Sequence, residues 1–282
     1  MKPAAFDYVR VDTLEEACDL LAENGQQARV LAGGQSLMPM LNMRLSQPGI
    51  LVDISRCAPL AYARVENGNL AVGAAQTQAA VEWRATLAEE VPLLSQAFPH
   101  ISHFQIRNRG TVCGSLAHAD PSAELPLCLT ALGGEVVLRS KRGRRVLAPE
   151  QFFQGMLSTA RAADELVEEA RFPLQAPRTG YAFEEFSMRH GDYAIVAVAA
   201  VVGERQIRLA VSGVADRPTL AVWPRLSGDA LDAALNDLAW SMAARDDQHA
   251  SARYRRHLVR QLGLRAVLGA TRDADARTEQ IA

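Results

Sequence analysis

The 282-residue chain has only two lysines, Lys2 and Lys141, although arginine keeps its basic count close to its acidic one. With a formal net charge of −2, it lacks the basic excess that nucleic acid or an anionic membrane surface would call for. Aromatic residues make up 6% of the chain and form no stripe interleaved with basic ones, so nucleic-acid binding has no footing. The four cysteines, Cys18, Cys57, Cys113 and Cys128, include no C-x-x-C pair, which leaves no iron–sulfur or zinc ligand set. Their spacing is equally unlike a secreted disulfide framework, and reduced thiols are expected. The longest apolar run, Ala194 to Val202, is too short to cross a bilayer. Charges at Asp7, Arg10, Asp12, Glu15 and Glu16 interrupt any signal-peptide core. These absences lead to the expectation of a soluble cytoplasmic protein with no membrane span.

What is present is a globular composition, 49% hydrophobic, with secondary-structure signals throughout. A short strand is expected at residues 5–10. Thr13-Leu14-Glu15-Glu16 reads as a capping box opening a helix that Asn24-Gly25 stops. Arg29 to Ala32 and Ile50 to Ile54 read as strands flanking a short helix from Met38 to Leu45. Asn67-Gly68-Asn69 marks a hairpin between residues 63–65 and 70–73. Thr77 is expected to cap a helix reaching about Ala88, and helices are expected at Pro92 to Phe98 and Leu125 to Leu132. A second hairpin is expected around Lys141-Arg142-Gly143, followed by a strand from Glu165 to Phe172. Pro173 to Gly180 is the clearest linker signal. Beyond it, strands at Ala182 to Phe186, Ala194 to Val202 and Ile207 to Val211 suggest a three-stranded antiparallel sheet. Helices are expected from Leu231 to Met242 and from Ala250 to Leu268. Arg253, Arg255 and Arg256 are expected on a solvated face of the second, with a frayed tail from Thr271.

Two stretches carry the chemistry. The first, Arg29 to Leu37, ends an apolar strand in the adjacent glycines Gly33-Gly34. Glycine permits positive φ and close backbone approach, so the N–H groups there can turn toward an anion. The second, Gln105 to Glu124, is read as a loop rich in small residues, hydroxyls and acids. Gly110, Gly114 and Ser115 allow close approach, Thr111 and Ser115 can donate to phosphate or ribose oxygens, and Asp120 and Glu124 can accept from a ribose or ring N–H groups. Two such loops fit a dinucleotide with two phosphates. Ser115, His118 and Asp120 do not make a hydrolytic triad, whose members converge from separate segments. His103, His118 and Asp120 match no standard metal site.

The order of these motifs resembles one family. Ala32-Gly33-Gly34-Gln35-Ser36 followed by Leu-Met-Pro-Met-Leu and Leu51-Val52-Asp53-Ile54 looks like the first flavin motif of the FAD-binding medium subunits of molybdenum hydroxylases. Gln105 to Thr111, Gly114 and Ala117-His118-Ala119-Asp120-Pro121 look like the second. Arg189 to Ala194 and Ser251 to Arg256 resemble later landmarks. The resemblance implies an α+β protein: a two-lobed α/β FAD domain (the PCMH type) over residues 1–176, with lobes of about 1–55 and 56–176, and a small α+β domain over 177–282. It implies FAD held by Leu31, Ala32, Gly33, Gly34, Gln35, Ser36 and Leu37 on one side, and by Thr111, Val112, Cys113, Gly114, Ser115 and Ala117 on the other. Asp120, Glu124, Leu166 and Tyr193 complete the expected set, and no catalytic or metal-binding residue is assigned.

As partners, the resemblance implies a large molybdopterin subunit and a small subunit with two 2Fe–2S clusters, assembled as a dimer of heterotrimers. Electrons would pass from the nearer cluster to FAD and on to an external acceptor. A stand-alone flavoprotein oxidoreductase and a flavin-free assembly subunit are the alternatives. The second is prompted by Cys113, which stands where the family motif has glycine; Ser115 likewise stands where that motif has an amide or acid.

Overall fold

A computed structural model describes residues 2–279. The chain begins with β1 (Asp7–Arg10), α1 (Leu14–Asn24), β2 (Ala28–Leu31), α2 (Leu37–Asn42) and β3 (Ile50–Asp53). The capping box is present: Thr13 Oγ1 accepts the Glu16 N–H at 3.2 Å, and Glu16 Oε2 accepts the Thr13 N–H at 3.3 Å. Each bond satisfies a donor that the helix start would leave unpaired. β3 lies between β1 and β2, parallel to both, which is why its Leu51 and Val52 are almost wholly buried. The carboxyl end of β2 feeds the glycine turn, and crevices beyond carboxyl ends are where parallel sheets bind ligands.

The next part is built on β4 (Ala63–Glu66), β5 (Asn69–Gly73), β6 (Glu135–Ser140), β7 (Gly143–Leu147) and, after a small ribbon of β8 (Phe153–Gly155) and β9 (Ser158–Thr159), β10 (Leu166–Pro173). The larger sheet is antiparallel with order β4-β5-β10-β6-β7. Asn67 and Gly68 both have positive φ, as a tight two-residue hairpin turn requires. Between β5 and β6 run α3 (Gln78–Glu82), α4 (Leu87–Glu90), α5 (Pro92–Ala97), α6 (Phe104–Arg107), α7 (Val112–His118) and α8 (Glu124–Leu132), and α9 (Pro149–Phe152) follows β7. Thr77 caps α3 through the Ala80 N–H. The single helix expected to reach Ala88 is instead two, and Arg84 between them donates to the Ala63 carbonyl and the Glu90 carboxylate.

The last part has four antiparallel strands, not the expected three: β11 (Gly180–Phe186), β12 (Val196–Val202), β13 (Gln206–Ser212) and β14 (Thr219–Pro224). β14 is an edge strand, the position that tolerates its terminal Pro224. α10 (Gly228–Ser241) and α11 (Ala252–Glu279) follow. Val196, Val198, Ala200 and Val202 of β12 share a core with these two helices, whereas Ala197 and Ala199 join the core of the preceding part. The alternation of large and small side chains lets α8 pack against one face and α11 against the other.

Two expectations for α11 are corrected. The tail from Thr271 is helical as far as Glu279, because Ala270 and Ala274 pack against β11; a Cβ at Gly180 would lie 1.9 Å from the Ala270 carbonyl. The last three residues of that expected tail lie outside the described residues. Arg255 is buried, not solvated: its guanidinium donates to the Ile195 and Gly213 carbonyls at 2.6 and 2.7 Å and pairs with Asp247. Arg253 is exposed, and Arg256 stacks over the exposed Trp240 ring.

Candidate functional site

The glycine turn leaves β2 at Leu31 and runs through Ala32, Gly33, Gly34, Gln35 and Ser36 into α2. Gly34 has φ +72°, a conformation that a Cβ would strain. Gly33 serves close approach: a Cβ there would sit 2.2 Å from the Arg109 carbonyl and 2.7 Å from Gly110 Cα. The first motif therefore packs backbone to backbone against the second. Gln35 Nε2 donates to the Gly33 carbonyl at 3.0 Å and braces the turn. Among the described residues, no protein acceptor meets the N–H groups of Gly33, Gly34, Gln35 or Ser36. Successive free N–H groups in a turn form a concave nest for an anion.

The second motif is not the loop expected. Val112 to His118 is α7, with Thr111 as its N-cap. Gly110, Cys113, Gly114 and Ser115 disguise the helix, since glycine and serine are poor helix formers. Thr111 Oγ1 accepts the Gly114 N–H at 3.0 Å, and a Cβ at Gly114 would come within 2.6 Å of that oxygen. The Ser115 N–H goes to the Thr111 carbonyl, the Val112 N–H to the Gln76 carbonyl, and the Gly110 carbonyl accepts from Gln78. Most donors of this motif are thus spent on holding it in place. Cys113 is 2% exposed, and its thiol donates to the Val72 carbonyl at 3.3 Å, inside the core. Burial pushes the thiol pKa well up, so it stays protonated. The side chain that replaces the family glycine therefore belongs to the packing under the cleft.

Between the motifs lies a cleft of about 700 Å³, within the roughly 300–1,000 Å³ usual for small-molecule sites. Ala32 to Leu37, Thr111, Cys113, Gly114, Ser115, Ala117, Asp120, Glu124, Leu166 and Tyr193 all border it. Leu31 and Val112 do not: Leu31 Cδ1 supports the turn beneath Gly34, and Val112 is fully buried. Leu166 arrives at the start of β10, and Tyr193 stands 62% exposed on the β11–β12 connection.

The residues that sequence reasoning passed over are mainly cationic. Arg29 and Arg161 both line the cleft, and among the described residues neither lies within ion-pair distance of a carboxylate. Arg161 Nη1 is held by the Ala162 and Glu165 carbonyls, at 3.0 and 2.6 Å. Burial and then nearby Arg29 lower its pKa, against the opposing pull of Glu165 and Asp164. Arg29 sat inside the first motif without an assigned role. Arg161 has no local sequence signal, because the β9–β10 connection brings it to the first motif from far along the chain. Gln78 is also missed; its Oε1 is buried in the cleft wall without a partner among the described residues.

Glu124 is 6% exposed, and burial, helped by Asp120, pushes its carboxyl up to about 7. Asp120 Oδ1 accepts the Ser122 N–H at 2.8 Å. Burial lowers the His118 pKa and favours its neutral form. The donor set is thus a nest of free N–H groups, two unpaired guanidiniums, and acids able to accept from hydroxyls. It fits a molecule that carries phosphate charge and a polyol, which FAD does.

Comparison with known proteins agrees with this chemistry. The family model for the FAD binding domain in molybdopterin dehydrogenase matches residues 4–175, and that for the CO dehydrogenase flavoprotein C-terminal domain matches residues 181–270. The chain is 36% identical to the nicotine 6-hydroxylase medium subunit of Paenarthrobacter nicotinovorans, over 99% of this chain and 100% of that one. It is 43% identical to caffeine dehydrogenase subunit beta of Pseudomonas sp. strain CBB1, over 77% of this chain and 76% of that one. Among solved structures, reconstituted CO dehydrogenase from Oligotropha carboxidovorans superposes with a TM-score of 0.92 at 32% identity, covering 97% of this chain and 100% of that one. Quinoline 2-oxidoreductase from Pseudomonas putida 86 gives a TM-score of 0.89 at 32% identity, covering 99% of this chain and 100% of that one. The chain therefore belongs to the FAD-binding medium subunits of the molybdenum hydroxylases, as the serial motifs from Ala32 to Arg256 had suggested.

Proposed function

We propose that this chain is the electron-transferring subunit of a heterotrimeric hydroxylase or dehydrogenase, with FAD held in the cleft between the Gly33 turn and α7. The observation that carries the site assignment is the run of four free N–H groups from Gly33 to Ser36, together with Arg29 and Arg161. In this reading the turn and the two guanidiniums take the diphosphate. Asp120 and Glu124 accept from ribityl or ribose hydroxyls, and Leu166 and Tyr193 bound the ring system. FAD supplies the exchange between one-electron and two-electron transfer; the protein supplies orientation, burial and electrostatics.

Electrons come from a small subunit carrying two 2Fe–2S clusters and leave to an external acceptor. A large subunit carrying molybdopterin performs the hydroxylation, and two such heterotrimers associate. The donor inventory is in keeping with this division of labour: the four cysteines are buried and dispersed, and no group of three or more candidate metal ligands occurs among the described residues. No residue of this chain is assigned as an acid, base or nucleophile toward the hydroxylated substrate. The proposed division into domains is 1–176 and 177–282. The proposed compartment is the cytoplasm; no described helix is long and apolar enough to cross a membrane.

Purification of the native assembly tests this function. The expected preparation contains FAD, iron and molybdenum with two further chains. Oxidation of an organic substrate by the isolated chain would replace the proposal with a stand-alone flavoprotein. A colourless preparation that releases no FAD on denaturation would replace it with a flavin-free assembly subunit; the Cys113 thiol donating inward to the Val72 carbonyl supports flavin binding over that alternative.

A further inference from the structure

The ribbon of β8 and β9 turns at Gly155 to Ser158, and Leu157 and Ser158 of this tip border the cleft. The root of the ribbon is fixed. The buried Phe152 and Phe153 rings meet edge to face with centroids 5.1 Å apart. Arg217 Nη1 donates to the Phe153 carbonyl at 2.8 Å, and the Ala160 N–H donates to the Phe152 carbonyl at 2.8 Å. The tip is fixed as well: the Leu157 N–H donates at 3.1 Å to the carbonyl of Ala119, the residue that ends α7. Both residues of this latch have φ +53°. A bulky side chain in the left-handed region is strained, and such strain gathers at ligand clamps. Among the described non-glycine residues with positive φ, Leu157 alone carries a large apolar side chain.

The strain holds in place an apolar group that no core covers. Leu157 is 48% exposed and joins neither hydrophobic core. The nearest residues of the two latched segments that also line the cleft, His118, Asp120, Ser158 and Thr159, are all polar. A diphosphate or a sugar gains little from a leucine, whereas a planar ring buries apolar area against one. We propose that Leu157 is a ring-binding residue of the cleft: the latch between the ribbon tip and α7 holds its side chain where a planar ring of the dinucleotide lies against it. This rests on the reading of the cleft as the FAD site, and it adds an apolar contact to those assigned to Leu166 and Tyr193.

Backbone and side chain then have separable consequences. Leu157→Gly relieves the strain and removes the contact, so the melting temperature should hold or rise while FAD affinity falls about tenfold. Leu157→Asn tolerates the left-handed backbone but is polar, and its affinity should fall similarly without a loss of stability. Leu157→Met keeps an apolar side chain and should bind FAD within about threefold of the unmodified chain. A purely structural latch would make affinity follow stability, and the Gly and Asn variants would then bind FAD normally. The test pairs these titrations and melts, on the flavin-depleted full chain, with methyl NMR of the unmodified chain. The Leu157 methyl signals, assigned by their loss in Leu157→Met, should shift upfield by ring current when FAD binds. Unshifted methyl signals, or normal FAD binding by the Gly and Asn variants, would overturn this inference and leave the cleft assignment standing. Failure of the unmodified chain to bind FAD would overturn the cleft assignment and this inference with it.

Discussion

The two walls of the cleft use backbone polarity in opposite ways. From Gly33 to Ser36 four N–H groups meet no acceptor among the described residues, and one side-chain bond from Gln35 keeps the turn in shape. From Gly110 to Ser115 the polarity is mostly consumed: the Thr111 hydroxyl caps α7, and the 76–78 segment binds Val112 and Gly110. The first wall offers donors, while the second is a fixed platform that the first leans on at Gly33. In the proposed reading, two stretches that look alike in composition divide the work between holding a ligand and holding the wall.

Substitutions can break or sharpen that division. The largest effect is expected at Gly33, where the two walls touch. Gly33→Val should weaken FAD binding at least about a hundredfold and destabilise the fold by about 1–3 kcal/mol, read from flavin content and thermal melting. Arg161→Gln removes an unpaired cation of the ligand-facing side and should weaken FAD about ten- to a hundredfold. Its affinity should also depend less on salt than that of the unmodified protein. Thr111→Val strips the cap from α7. It should lower stability by about 1 kcal/mol and FAD affinity by less than about tenfold, a stability effect first and a binding effect second. The smallest effect on binding is expected for Cys113→Ala. Its thiol lies in the core, so a loss of about 1 kcal/mol in stability should leave FAD affinity within about threefold. A large binding defect there would mean that position 113 faces the ligand after all.

Local signals made much of the fold legible. The Thr13 capping box, the Asn67-Gly68 turn and the Lys141-Arg142-Gly143 turn all act within a few residues of themselves, and each forms as expected. Failures came where distant partners decide. β14 is bracketed by Pro218 and Pro224, which argue against a strand until pairing with β13 is known. Residues 271–279 are polar and read as frayed, yet they stay helical because Ala270 and Ala274 lie against Gly180. Arg255 resembles its exposed neighbour Arg253 until the carbonyls of Ile195 and Gly213 arrive beside it.

The site shows the same split. The glycine turn announces itself, and most of the expected residues border one cleft. Arg161 and Gln78 carry no local mark, because they reach the cleft only through burial and through what folds against them. The second motif was misread as a loop because its small residues suit both a turn and the tight packing of α7 beneath the cleft.

The contrast between the walls is tested most directly by residue-resolved amide hydrogen exchange, with and without FAD, on the full chain. The N–H groups of Gly33, Gly34, Gln35 and Ser36 should exchange quickly without FAD and become strongly protected when it binds. Those of Gly114 and Ser115, already bonded to Thr111, should be slow in both states. Protection appearing chiefly at Gly114 and Ser115, with none at Gly33 to Ser36, would contradict the assignment of the glycine turn as the phosphate-holding wall.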